Sequence, residues 1–304
     1  MYTKYKKGEK KDNMEQLELK SLAKINLGLD VLGTREDGYH EVRMIMQSVY
    51  LYDKILLRKK AEPGITLKSN LSFLPDDDKN IAWKAADLLI REFSLEGGMA
   101  IKLEKHIPVA AGLAGGSSNA AAVLFGMNRM YRLGLSTEEL MERGVKIGAD
   151  VPYCIMRGTA LAEGIGEKLS KLPPMVKCPV LIAKPQISVS TKFVYENLKL
   201  GSDMVHPDID RLVADIREKD LYKIAADMGN VLETVTIPAY PVIADIKDHM
   251  MEHGAVNAMM SGSGPTVFGL FDKEATAVEA YEAMKASGLA KQVYLTSIYN
   301  NARK

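Results

Sequence analysis

The stretch Pro108 to Ala122, PVAAGLAGGSSNAAA, constrains this chain more than any other. Gly112, Gly115 and Gly116 permit backbone torsions and close approaches that a Cβ would block. Ser117, Ser118 and Asn119 then open an alanine-rich helix expected over 119–131. A helix start presents unpaired N–H groups and the positive end of the helix dipole, which together suit phosphate. Ala120, Ala121 and Ala122 keep the first turns slim enough to pack closely. The stretch is not a GxxxxGK[ST] loop, because no lysine follows its glycines, and it is not a GxGxxG turn after a first Rossmann strand. Pro108, Val109, Ala110, Ala111, Leu113 and Ala114 complete the candidate phosphate-binding loop.

The rest of the chain reads as α+β with mixed order and no βαβ repeat. Residues 16–35 alternate apolar and polar positions (Leu17, Leu19, Ile25, Leu27, Leu29, Val31) and read as a strand pair. A second long β-like run, EVRMIMQSVYLYDKILLRKK, ends at Pro63 and Gly64. Residues 80–92 have helical spacing, and GMAIKLEKHIPVA returns to a strand. Ser136 followed by Glu139 predicts a capping box opening a helix through Lys146. Gly148 then fits a stop and Pro152 the start of a short helix. Further on, VLIAKPQISVS and AVNAMMSGSGPTVFGLF read as strands, and 192–200, 208–234, 241–253 and 273–287 as helices. Two domains are expected, 1–160 and 161–304, with residues 1–13 as a solvated tail and Met14 as a candidate natural start.

Composition removes several function classes. Forty Lys and Arg against 39 Asp and Glu give a net charge of +1, without the basic excess of a nucleic-acid binder. Lys4, Lys6, Lys7, Lys10 and Lys11 are followed by no apolar run, so the start does not read as a secretory signal. The longest uncharged stretch, His106 to Asn128, is broken by Pro108, Gly112, Gly115, Gly116, two serines and an asparagine, whereas a bilayer span needs about 20 predominantly apolar residues. Two cysteines, Cys154 and Cys178, cannot build a disulfide framework or a zinc cage. A reduced, cytoplasmic setting is expected, with a small molecule rather than a nucleic acid or a membrane as partner.

Two charges stand where chemistry could use them. Asp150 is an acid at the expected start of a helix, where it could also serve as a cap. Lys24 lies inside an otherwise apolar strand, and a charge in such a place needs a partner. Cys154, close in sequence to Asp150, has no evident activating neighbour and reads as a small core residue.

Three segments together carry a family resemblance. PVAAGLAGGSSNAAA resembles the second motif of the GHMP small-molecule kinases, which include galactokinase, homoserine kinase and mevalonate kinase. LAKINLGLDV (Leu22–Val31) resembles the first motif, and NAMMSGSGPTVFGLF (Asn257–Phe271) the third. The three occur in the family's order and span most of the chain. The resemblance implies a two-domain GHMP-kinase fold: an N-terminal domain like the second domain of ribosomal protein S5, a ferredoxin-like α+β C-terminal domain, and an active site in the interdomain cleft.

EDGYHEV (Glu36–Val42) and IGADVPYC (Ile147–Cys154) narrow the resemblance to the subgroup of the non-mevalonate isoprenoid route. Its members move the γ-phosphoryl of ATP onto the 2-hydroxyl of a cytidine-diphosphate-linked methylerythritol. A cytosine ring asks for an aromatic face and a hydrogen-bonding edge, and Tyr39 and His40 can supply one of each. By the resemblance Tyr195 adds a second aromatic, with Phe193 as rival, and Thr191 lies near the phosphate or sugar. Lys24 is paired with Asp150, Asp150 facing the acceptor hydroxyl. Asn26 is a candidate contact for the substrate's hydroxyl end, Lys105 for an ATP phosphate and Asn80 for the adenine. Gly262, Ser263 and Gly264 are expected to shape the site. Mg²⁺ is expected with ATP, Ser118 being a candidate ligand.

Some positions depart from the pattern: Leu22 stands where proline is usual, Tyr50 where an acid is common, and Ala110, Ala111 and Ala114 where some members carry glycine. A sister kinase for homoserine or mevalonate, or a silent ligand sensor on the same scaffold, are the alternatives. The sensor is disfavoured because both the lysine and the aspartate are present.

Overall fold

A computed structural model describes residues 14–201 and 204–301. The expectation of a solvated tail over 1–13 lies outside them. In chain order the elements of the first half are β1 (Gln16–Thr34), β2 (His40–Lys60), β3 (Gly64–Ser69), α1 (Ile81–Glu92), β4 (Gly98–Glu104), α2 (Gly115–Tyr131), α3 (Thr137–Val145) and α4 (Val151–Met156). There follow β5 (Thr159–Glu163), β6 (Lys168–Lys171), β7 (Pro179–Lys184), α5 (Thr191–Asn197), α6 (Ile209–Glu218), α7 (Leu221–Ala226) and β8 (Gly229–Asn230). The chain ends through α8 (Glu233–Ala239), α9 (Val242–Glu252), β9 (Asn257–Met260), β10 (Val267–Leu270), α10 (Glu274–Ser287) and β11 (Gln292–Ser297).

Two compact units divide the chain, and they are interleaved. The first gathers the chain through Ala23, Tyr52–Ile107 and Ala114–Met156; the second gathers Lys24–Leu51, Pro108–Leu113 and the chain from Arg157 onward. The long strands β1 and β2 therefore each contribute one part to either unit.

In the first unit β4 pairs antiparallel with the later half of β2 (Ile55 opposite Leu103, Leu57 opposite Ile101) and parallel with β3. These residues alternate into a core with Leu17, Leu19 and the helices. Helix α2 lies close on that sheet because Gly126 has no side chain; a Cβ there would collide with Leu57 and Leu19. Its Ala120, Ala121, Ala122, Val123, Leu124 and Met127 are all buried, so it is a core helix rather than an amphipathic surface one. The capping box is present: Ser136 Oγ accepts from Glu139 N (3.1 Å), and Glu139 Oε2 accepts from Ser136 N (2.8 Å).

In the second unit the early part of β2 pairs antiparallel with β5 (Gln47 opposite Thr159), β5 with β6, and β1 runs parallel to β8 at Gly28 and Leu29. A separate antiparallel sheet has the order β11-β7-β10-β9. Helices α9 and α10 pack on it through Ile243, Ile246, Met250, Ala277, Ala280 and Met284. Among the described residues no helix is long and apolar enough to cross a membrane.

Three expectations about elements are corrected. Residues 16–34 form one continuous strand, not a pair. Alternating burial over its first residues gives way to a run buried on both faces, with no turn residue between them. The helix expected over 208–234 breaks at Lys219, which is left-handed (φ 59°), and Asp220 starts a new helix by accepting from Tyr222 N and Lys223 N. Helix α2 begins at Gly115, four residues before the expected start.

Candidate active site

The loop before α2 turns through three left-handed residues: Ala110 (φ 49°), Gly112 (φ 71°) and Ala114 (φ 52°). For alanine that conformation costs about 1–2 kcal/mol each. Ala110 and Ala114, two of the three alanines that stand where the resembled motif can carry glycine, thus still adopt a glycine-like backbone, and Ala111 does not. Ala114 is the N-cap of α2 and offers no side-chain cap, so none of the helix's first amides is taken up by its cap residue. Gly116 is exposed at this terminus, whereas Ser118 and Asn119 are buried.

Behind the start of α2, within the first unit, lies a buried polar network. Lys105 Nζ is paired with Asp53 Oδ2 and also donates to Asn119 Oδ1 (2.9 Å). Asn119 Nδ2 donates to Asp53 Oδ2 (2.8 Å) and to Ser21 Oγ (2.7 Å). Asp53 Oδ1 accepts the backbone N–H groups of His106 (2.7 Å) and Ile107 (2.8 Å). Every member's burial is therefore matched by partners, as a buried charge requires. The expected nucleotide contacts Lys105 and Asn119 thus have a partner that sequence reading missed. Asp53 carries the same signal as Lys24, a charge within an apolar strand (LYDKILL).

Elsewhere in this unit Asn80 caps α1, its Oδ1 accepting from Ala82 N (3.0 Å) and its Nδ2 donating to Pro75 O (2.8 Å). Asp150 immediately precedes α4; its carbonyl accepts from Cys154 N (3.1 Å), and the residue is half-buried. Cys154 is buried and forms no disulfide.

The second unit assembles Lys24 with the glycine-rich turn. Lys24 Nζ donates to Asn26 Oδ1 (2.8 Å) and to the carbonyl of Gly112 (3.0 Å), and Lys24 N donates to Leu113 O (3.1 Å). Ser261 Oγ also donates to Gly112 O (3.0 Å). Gly262 lies against this point, since a Cβ built on it would be 3.5 Å from Gly112 Cα and 3.6 Å from Lys24 Nζ. The turn is held from beneath by Asn230, whose Nδ2 donates to Met260 O (2.9 Å) and Gly262 O (2.8 Å). Asn230 and Ser261 were not legible as site residues. Lys24 is only 5% exposed, yet both acceptors of its ammonium, a side-chain amide oxygen and a backbone carbonyl, are neutral.

Thr191 opens α5, and its hydroxyl lies 2.9 Å from that of Ser263; the cap itself is Ser190. The rings of His40 and Tyr195 are 4.9 Å apart between centroids at 45°. Tyr39 is 60% exposed and Phe193 38%. The structure thus brings together Lys24, Asn26, Gly112 and Gly262 as one group, Thr191 with Ser263 as a second, and His40 with Tyr195 as a third.

The chain matches the sequence profiles of two domains: GHMP kinases N terminal domain over residues 80–158, which contains the loop and the start of α2, and GHMP kinases C terminal over 212–290, which contains the glycine-rich turn. The chain belongs to the GHMP kinase family. It is 56% identical to the 4-diphosphocytidyl-2-C-methyl-D-erythritol kinase of Lachnospira eligens over 94% of this chain and 99% of that one. It is 53% identical to the kinase of the same name from Lachnoclostridium phytofermentans over 95% and 99%. Among solved structures it is similar to a 4-(cytidine 5'-diphospho)-2C-methyl-D-erythritol kinase, with TM-score 0.81 and 29% identity over 94% of this chain and all of that one. It shares its fold with the homoserine kinase of Cytophaga hutchinsonii, with TM-score 0.78 and 21% identity over 98% of each chain.

Proposed function

We propose that this chain is an ATP-dependent kinase acting on 4-diphosphocytidyl-2-C-methyl-D-erythritol in the non-mevalonate isoprenoid route. It transfers the γ-phosphoryl of ATP to the substrate's 2-hydroxyl, giving the 2-phosphate and ADP. The bond from the γ-phosphorus to the bridging oxygen of ADP breaks, a bond to the hydroxyl oxygen forms, and the hydroxyl proton leaves. The observation that carries the reading is the Lys24 ammonium: an –NH₃⁺ has three donors, two of which meet neutral acceptors, and its burial is matched by no acid among those acceptors. A phosphate oxygen supplies both the third acceptor and the missing charge.

Phosphoryl transfer asks a protein mainly to position groups and neutralise charge. In this reading Lys24 stabilises charge developing on the transferred group, and Asp150 orients the hydroxyl and takes its proton late. The loop Pro108–Asn119 and the start of α2 hold the triphosphate, with Lys105 and Asn80 near the nucleotide. His40 and Tyr195 hold the cytosine with Tyr39, and Asn26 and Thr191 serve the rest of the substrate. Mg²⁺ fits as an ion carried chiefly by the triphosphate, with the Ser118 hydroxyl as a candidate oxygen donor of this loop; Asp53 has both oxygens committed. When bound, it would neutralise phosphate charge. A cytoplasmic setting and a small-molecule partner accord with the near-neutral charge.

Turnover of the cytidine-linked methylerythritol, mevalonate and homoserine with ATP tests the proposal. Phosphorylation of the first alone is expected, and Asp150→Asn should lower it at least about 10²-fold. Phosphorylation of only the other two would overturn the substrate assignment.

A further inference from the structure

We propose that the last turn of α9 is a binding site for one divalent late transition-metal ion of the Zn²⁺ class, formed by His249, Glu252 and His253. The spacing i, i+3, i+4 places all three on one face of the helix. One ligand atom from each lies within 4.8 Å of the other two. Ligands on one zinc ion lie about 2.0–2.2 Å from it, so binding would draw the three atoms closer together than they stand here.

The two imidazoles are prepared for such a role in different ways. His253 Nδ1 lies 2.8 Å from the carbonyl oxygen of His249. A carbonyl can only accept, so Nδ1 carries the proton and Nε2 of the neutral ring keeps its lone pair. A ring whose second nitrogen is fixed on a backbone carbonyl is the usual state of a metal-bound histidine. His249 Nε2 is buried and has no hydrogen-bond partner. An orphaned buried polar atom asks for a cause, and an ion is one. The ring centroids are 4.2 Å apart, which keeps both rings over the same turn.

The site's charge also favours a cation. Glu252 is exposed and supplies a negative ligand, and the C-terminal end of a helix carries negative partial charge. Two imidazoles and a carboxylate are borderline donors that suit zinc and its neighbours better than Mg²⁺. The order His-Met-Met-Glu-His matches an H-x-x-E-H zinc motif, but here Glu252 is read as a ligand, not as a base, and no hydrolytic activity is proposed. The site is not part of the machinery assigned to phosphoryl transfer. Because α9 backs β9 and β10, the ion's effect would be to fix the helix end against that sheet.

The test uses the full chain, stripped of metal by chelator and free of nucleotide, titrated with Zn²⁺ by calorimetry. One equivalent should bind and raise the unfolding temperature. His253→Gln should weaken binding at least about tenfold, the loss typical even of a partner one shell out; Glu252→Gln, at an exposed position, should weaken it less. His206→Gln, which alters a histidine elsewhere, should leave binding unchanged. Should a variant fail to fold, Co²⁺ added to the wild-type chain gives the same answer, by broadening the ring resonances of two of the five histidines. The absence of saturable one-to-one binding, an affinity unchanged in His253→Gln, or broadening confined to other histidines would overturn the proposal.

Discussion

The ammonium of Lys24 lies 3.0 Å from the carbonyl oxygen of Gly112, which also accepts the Ser261 hydroxyl. One loop carbonyl therefore fixes the loop to a charged strand residue and to the glycine-rich turn at once. That geometry explains why residue 112 is glycine. A Cβ there would overlap the carbonyl oxygen of Ser261, and φ is +71°. Both the neighbour and the torsion are backbone, so neither relaxes cheaply. Gly112→Ala should destabilise the chain by at least about 1–3 kcal/mol, the cost of a strained residue before any clash, and should lower turnover sharply. Gly116→Ala makes the contrast. Its Cβ would meet Ile81 at an ordinary 3.4 Å, within a helix, so stability should hold or rise by about 0.5–1 kcal/mol. Urea unfolding of both variants checks the pair of outcomes.

Asp53 and Lys105 form a buried ion pair; Asn119 and two backbone amides fill the remaining lone pairs of Asp53, and Asn119 accepts a second donor of Lys105. Removal of one partner strands the other charge. Asp53→Ala or Lys105→Met should each cost about 3–5 kcal/mol. The double variant should cost less than the sum, because the second substitution removes the stranded charge. Chemical denaturation of the four proteins of this cycle measures the coupling; strict additivity would refute it.

How far the sequence discloses this arrangement depends on the range of the interactions. The capping box at Ser136 and the loop–helix junction at 112–119 are short-range features, carried by residue types at fixed spacing; the α1 cap at Asn80 is equally local, although in the sequence Asn80 reads only as a nucleotide contact. Lys24 was legible because a charge in an apolar strand demands a partner. Asp53 obeys the same rule, but the adjacent Lys54 gives it the look of an exposed charged pair, and its buried partner Lys105 is 52 positions away. Strand β8 is two residues long and exists through its parallel pairing with β1; no periodicity can encode it. The interleaving of the two units has the same cause, since membership of a unit is decided by long-range pairing along β1 and β2.

Acid titration offers a separate test. Burial, and then the neighbouring Asp227, raise the pKa of Asp215 above its ordinary value of 3.8. The folded chain thus holds this proton to higher pH than the unfolded chain does. Its contribution to stability is complete below 3.8 and is lost as pH rises through the raised folded value. Asp215→Asn removes both the ionisation and the repulsion from Asp227. The variant should therefore be more stable than wild type at neutral pH, and its advantage should shrink on acidification through that window. Urea midpoints measured across the acid range decide it; an advantage that does not change with pH would exclude the assigned cause.

The pairing of His40 with Tyr195 separates the two aromatics that compete for the cytosine. Tyr195 lies 4.9 Å from the His40 ring between centroids, and α5 places it one turn from Thr191, whose hydroxyl meets Ser263. No ring partner of Phe193 is seen among the described residues, and it is 38% exposed. A base stacked on an aromatic ring is worth about 1–3 kcal/mol, so Tyr195→Ala should raise KM for the cytidine-linked substrate by about tenfold or more, with kcat little changed. Tyr195→Phe should recover most of that loss, since the ring face survives, and Phe193→Ala should leave KM where it was. Steady-state kinetics of the three variants at saturating ATP distinguish the readings: a KM effect in Phe193→Ala and none in Tyr195→Ala would hand the stack to Phe193.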